Sequence, residues 1–86
     1  MQGGLLAAML DSATGFTLIE SLGPGLTAVT RELRTRYHNP AAPGVIHATA
    51  HVVANDGRDA EVQGELRAPD GRLLASAVAL MRVLRR

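Results

Sequence analysis

The chain has 86 residues, is 47% hydrophobic and 20% charged, and carries nine basic against eight acidic side chains for a formal charge of +1. That length allows one small domain, the composition excludes disorder, and a near-neutral charge with one Tyr, one Phe and no Trp argues against nucleic-acid binding. With no cysteine there is neither a disulfide framework nor a thiol nucleophile, so a reducing compartment is expected, the cytoplasm by default.

The first predicted element is a helix from about Gly4 to Leu22. Gly3-Gly4 reads as its entry turn, and Leu5-Leu6-Ala7-Ala8-Met9-Leu10 is a run of good helix formers. Apolar residues occupy almost every side of it, which predicts a buried helix. Asp11 is the first charged residue, and no basic residue precedes Arg31, so this carboxylate has no ionic partner nearby in sequence. A charge so placed is costly unless it serves a purpose, which makes Asp11 the leading catalytic candidate. Because Asp11 interrupts the apolar stretch and no basic segment precedes it, neither a signal peptide nor a membrane span is predicted.

Gly23-Pro24-Gly25 ends the helix, and the period then changes from helical to alternating. Thr27 to Tyr37 reads as a strand with Val29, Leu33 and Tyr37 on one side and Glu32, Arg34 and Arg36 on the other. Asn39 to Gly44 is a loop. In the next strand Ile46, Ala48, Ala50, Val52 and Ala54 alternate with Val45, His47, Thr49, His51 and Val53. Asn55-Asp56-Gly57 is a hairpin signal. Ala60, Val62, Gly64, Leu66 and Ala68 then alternate with polar residues, Pro69-Asp70-Gly71 makes a second hairpin, and the strand from about Leu73 to Leu84 is apolar on both sides, as a central strand is. The prediction is an α+β domain over 1–86: one long helix followed by four antiparallel strands. Its inward positions are small (Ala48, Ala50, Ala60, Gly64, Ala75, Ala77, Ala79), leaving room for the helix to nestle into a curved sheet.

A Gly-Gly helix carrying an Asp and wrapped by antiparallel strands resembles the hotdog-fold acyl-CoA thioesterases of the phenylacetate-pathway, PaaI-like, type. The matching stretches are Gln2 to Asp11, Val29 to Leu33, Tyr37 to Ala41 and Asp56-Gly57-Arg58, in the family's order. The family's motif begins His-Gly-Gly where this chain has Gln2, and its members carry a lead-in strand that this sequence starts without.

The resemblance implies hydrolysis of an acyl-CoA thioester with no metal and no bound cofactor, CoA being part of the substrate. It assigns Asp11 as general base or nucleophile, the Gly3 N–H as oxyanion donor aided by the helix dipole, and Thr30 as the residue that orients the attacking water. Gly4, Phe16 and Arg58 are the expected substrate contacts, with Met9 and Met81 further candidates for the pocket lining. Arg31, Arg34 and Arg36 join Arg58 as possible phosphate ligands, against the plainer expectation of a solvated strand face paired with Glu32 or Glu65.

Eight residues separate Gly3 from Asp11, which at helical rise is about 12 Å along one axis. A donor and a base must each come within about 3 Å of one reacting group, so a single helix cannot supply both. Two antiparallel helices from two copies can, and a homodimer is expected on that ground. By resemblance, Thr27 to Tyr37 is the strand that pairs with its twin. Val45 to Ala54 is left as a bare edge, which invites a tetramer.

His47 and His51 share a strand face, but catalytic zinc needs three protein ligands and no third is evident. A rival reading is a non-catalytic hotdog assembly or acyl-binding module. A hydratase of this fold would need a His after Asp11 at helical spacing, which the sequence lacks.

Overall fold

The computed structural model describes residues 2–40 and 44–86, the first two of them as helix backbone; the middle of the expected loop, 41–43, and Met1 lie outside the described residues. The order is α1 (Gln2–Ser21), β1 (Leu26–Tyr37), β2 (His47–Asn55), β3 (Asp59–Arg67) and β4 (Leu73–Arg85). The strands form one antiparallel sheet in the order β1-β4-β3-β2. This is one long helix against a four-stranded antiparallel sheet, the hotdog architecture that the resemblance implies. No helix among the described residues is long and apolar enough to cross a membrane.

Turn chemistry sets the connections. At the β2–β3 turn the Asn55 side chain accepts from the Gly57 N–H at 2.8 Å. The Asp56 carboxylate accepts from the Arg58 and Asp59 N–H groups at 2.9 and 2.7 Å. Gly57 has φ +92°, a conformation that side chains disfavour, so the sequence signal and the geometry coincide.

The helix is buried along one stripe only. Leu10, Thr14 and Leu18 are fully buried, with Leu6 above them, four residues apart on the face toward the sheet. The opposite side is open: Phe16 is 66% and Leu5 51% exposed, and Asp11 is exposed too. The expectation of a helix buried on all sides is therefore corrected, because a single sheet covers a single face.

Two core clusters result. Leu6, Leu10, Leu66, Leu74, Ala75 and Ala77 form one, and Leu18, Ala60, Val62, Ala79, Met81 and Val83 the other. Met81, expected as a possible pocket lining, is 2% exposed in this core and borders a cavity with Arg31, Ala54 and Ala60. Between the clusters the row Ala50, Gly64 and Ala77 runs across three strands in register, a saddle of small residues beneath the middle of α1.

The two edge strands depart from simple alternation. In β1, Thr30 pairs with Met81 and Glu32 with Leu80, so Arg31 is an extra residue bulged out of the ladder. Because an odd insertion inverts parity, Ala28 and Thr30 lie on the helix side before the bulge, and Leu33, Thr35 and Tyr37 after it. Val29 faces away from Leu33 and is 47% exposed, which corrects the expected shared side. A similar slip at Val53 sets Ala54 opposite Glu61, on the outer face rather than with Ala50 and Val52.

Candidate active site

The Thr30 hydroxyl donates a hydrogen bond of 2.9 Å to Asp11 Oδ1. The helix side of β1 and the flank of α1 thus bring together two of the three expected catalytic residues, nineteen positions apart in sequence. The bulge at Arg31 makes this possible. Without it, strict alternation would send either Thr30 or Leu33 to the outer face. Donation by a hydroxyl to one carboxylate oxygen fixes the side chain and leaves the other oxygen free to take a proton.

Asp11 is also positioned from beneath. Thr14 Oγ1 donates to the Leu10 carbonyl at 2.8 Å and lies 3.2 Å from the Asp11 carbonyl. Its methyl faces Gly64: a Cβ built on that glycine would stand 2.9 Å from Thr14 Cγ2 and 3.3 Å from Leu10 Cδ2. Neither residue stands out in the sequence as functional. The available signal is a polar residue in the period-four row Leu6, Leu10, Thr14 and Leu18.

Gly3 stands in the first turn of α1, whose N–H groups have no intrahelical acceptor and are available to a ligand. It shares that helix with Asp11, so the separation of about 12 Å applies within one chain. Gly4 is exposed, with open space where a side chain would be. Phe16 projects on the uncovered side of α1. Met9 lines a shallow, mainly apolar groove with Ala8, Ser12, Ala13 and Ala48 between the helix and β2.

The expected phosphate ligands divide. Arg31 lies 3.8 Å from Asp59 and Arg34 pairs with Glu32, so both are engaged in exposed ion pairs. Among the described residues no hydrogen bond or ion pair holds the Arg36 guanidinium, and the Arg58 guanidinium, in the exposed β2–β3 turn, is close enough to Asp56 to help hold its carboxyl below the ordinary value. Glu65 pairs with Arg67 at 3.0 Å. His47 and His51 share the outer face of β2, opposite Arg67 and Gln63. No group of three metal-ligating side chains occurs among the described residues.

A family model described as the thioesterase superfamily matches residues 1–75. Similar solved structures include a Bacillus halodurans protein with CoA, 30% identical at a TM-score of 0.92, over 98% of this chain and 59% of that one. A phenylacetic acid degradation-related protein from Ralstonia eutropha is 33% identical at a TM-score of 0.89, over 95% and 61%. The E. coli PaaI protein of the phenylacetic acid degradation operon, 20% identical over 96% and 59%, shares the fold at a TM-score of 0.88. The chain spans about three fifths of the length of these relatives. None of the curated proteins matches it.

Proposed function

The chain belongs to the thioesterase superfamily, and from that premise we propose that it hydrolyses the thioester bond of an acyl-CoA in a site shared by two copies of the chain. The observation that carries this reading is the hydroxyl–carboxylate pair of Thr30 and Asp11, 2.9 Å apart on an open flank of the helix. An oriented, solvent-reached carboxylate is what base catalysis on water needs.

In the proposed mechanism the free oxygen of Asp11 takes a proton from water as that water attacks the thioester carbonyl. The Thr30 hydroxyl holds the carboxylate and the water in line. The N–H of Gly3 from a second copy stabilises the oxyanion, with the positive end of its helix adding to the effect. Collapse of the tetrahedral intermediate expels the CoA thiolate, which takes up the proton from Asp11. Direct attack by Asp11 through an anhydride leads to the same products.

The bare helix face and the unpaired outer edge of β1 support the homodimer, because pairing β1 with its twin would cover both. The free edge of β2 supports further pairing into a tetramer. Phe16 and Gly4 would then meet the acyl and pantetheine portions, and the Arg58 guanidinium a phosphate. The Bacillus halodurans relative solved with CoA supports a CoA-linked substrate. A cysteine-free composition supports a cytoplasmic setting.

One observation favours a second reading, a non-catalytic acyl-binding module: Gln2 stands where the family motif carries His. A panel of acyl-CoA esters with a free-thiol readout separates the two. Turnover that falls by about 10²-fold or more in Asp11→Asn is the expected result. Binding of acyl-CoA without thiol release from any ester would establish the module instead.

A further inference from the structure

We propose that Thr14 and Gly64 are positioning residues that set the height of α1 over the sheet and thereby the reach between Asp11 and Thr30. The claim rests on the catalytic role proposed for Asp11, but its structural half stands without it.

The observations form one chain of contacts. Gly64 lies at the centre of the small-residue saddle, between Ala50 of β2 and Ala77 of β4. Thr14, fully buried, is the residue of α1 that rests on it. Thr14 is also tied upward, through its hydroxyl, to the carbonyls of Leu10 and Asp11. The turn from Leu10 to Thr14 is therefore a single unit with its foot on Gly64 and the catalytic carboxylate at its top. The two core clusters flank this foot, so it is the fulcrum between them.

A methyl group on Gly64 would meet Thr14 Cγ2 at 2.9 Å. Ordinary carbon–carbon contact begins near 3.5 Å, and a packed interior has little slack to absorb the difference. The turn must rise by several tenths of an ångström. Asp11 rises with it, while Thr30, fixed in the β1–β4 ladder, does not. A hydrogen bond of 2.9 Å lengthened by that amount leaves the useful range.

The test is Gly64→Ala together with the double variant Gly64→Ala/Thr14→Ser in the full chain. Thr14→Ser keeps the hydroxyl and deletes only the methyl that the new Cβ would strike. The remaining close atom, Leu10 Cδ2 at 3.3 Å, is a terminal methyl only about 0.2 Å inside ordinary contact. In Gly64→Ala, kcat on an acyl-CoA ester falls at least about tenfold at a temperature where the protein is folded, with KM little changed. A crystal structure of the variant shows the Thr30–Asp11 contact lengthened past about 3.0 Å, the upper end of the usual O–H···O range. The double variant restores both. Val83→Ala, a core truncation away from the fulcrum, lowers Tm without lowering kcat.

A contact still intact in folded Gly64→Ala overturns the inference, as does a folded double variant that stays as slow as the single one. If Gly64→Ala does not fold, the double variant carries the test: it must fold and turn over like the parent. Lengthening of the contact with unchanged turnover upholds the fulcrum and instead sinks the catalytic role of Asp11.

Discussion

The Thr30 hydroxyl reaches Asp11 Oδ1 at 2.9 Å because Arg31, the next residue, is one too many for its ladder. The pairing of a side chain on the helix with one on the edge strand depends on this insertion as much as on the two residues themselves. Thr30→Val preserves shape and β propensity but removes the donor. We expect kcat to fall about tenfold or more, as loss of one charge-assisted hydrogen bond allows, while Thr30→Ser stays near the parent. Steady-state thiol release measures both.

Deleting Arg31 should be far worse than mutating it. The ion pair of Arg31 with Asp59 is exposed on both sides, 59% and 51%, so Arg31→Ala should cost under about 1 kcal/mol. Deletion restores unbroken alternation and drives either Ala28 and Thr30 or Leu33 off the helix side. Leu33 is partly buried, so exposing it costs about 1 kcal/mol. Urea unfolding should show the deletion to be the less stable of the two variants, and thiol release should show it to be the slower where Thr30 is the residue displaced.

Burial on one face of α1 predicts a periodic response to truncation. Leu10→Ala and Leu18→Ala, at fully buried positions, should each lose about 2–5 kcal/mol. Phe16→Ala, on the open side, should leave unfolding of the isolated chain within about 0.5 kcal/mol. Any large effect of Phe16→Ala is expected in KM or in oligomeric state by light scattering.

Acid should weaken the β2–β3 turn in a defined way. The N–H groups of Asp59 and then Arg58 hold the Asp56 carboxyl below its ordinary value. A carboxyl depressed in the folded state contributes stability that is fully present above its unfolded pKa, about 3.9 for Asp. That contribution is lost as pH falls through the lower folded value. The Tm difference between the parent and Asp56→Ala should therefore be flat from neutral pH down to about 4 and close below it.

Much of this architecture is legible in the residues. The Gly-Pro-Gly stop, the Asn-Asp-Gly and Pro-Asp-Gly turns and the apolar final strand lead directly to α1 and the four strands. β3 follows its predicted alternation through Ala60, Val62, Gly64 and Leu66. The register slips are not legible, because Thr30, Arg31 and Glu32 suit an exposed edge in either parity. One-sided burial of α1 is hidden for a related reason: Leu5 and Phe16 are as apolar as Leu6 and Leu10, and nothing local distinguishes a face covered by the sheet from one left open. Thr14 and Gly64 acquire meaning only once the helix is laid across the saddle. Asp11 and Thr30 could be nominated from a resemblance, but their contact is a product of tertiary structure.

The uncovered flank of α1, with Leu5 and Phe16, carries a consequence for selectivity. In a shared cavity, the acyl tail would slide along that flank and meet on its far side a wall supplied by another molecule. Tail preference then becomes a trait of the quaternary seam. Swapping seam residues between relatives should exchange their chain-length profiles, and truncating Leu18, under the rod, should leave that profile unchanged.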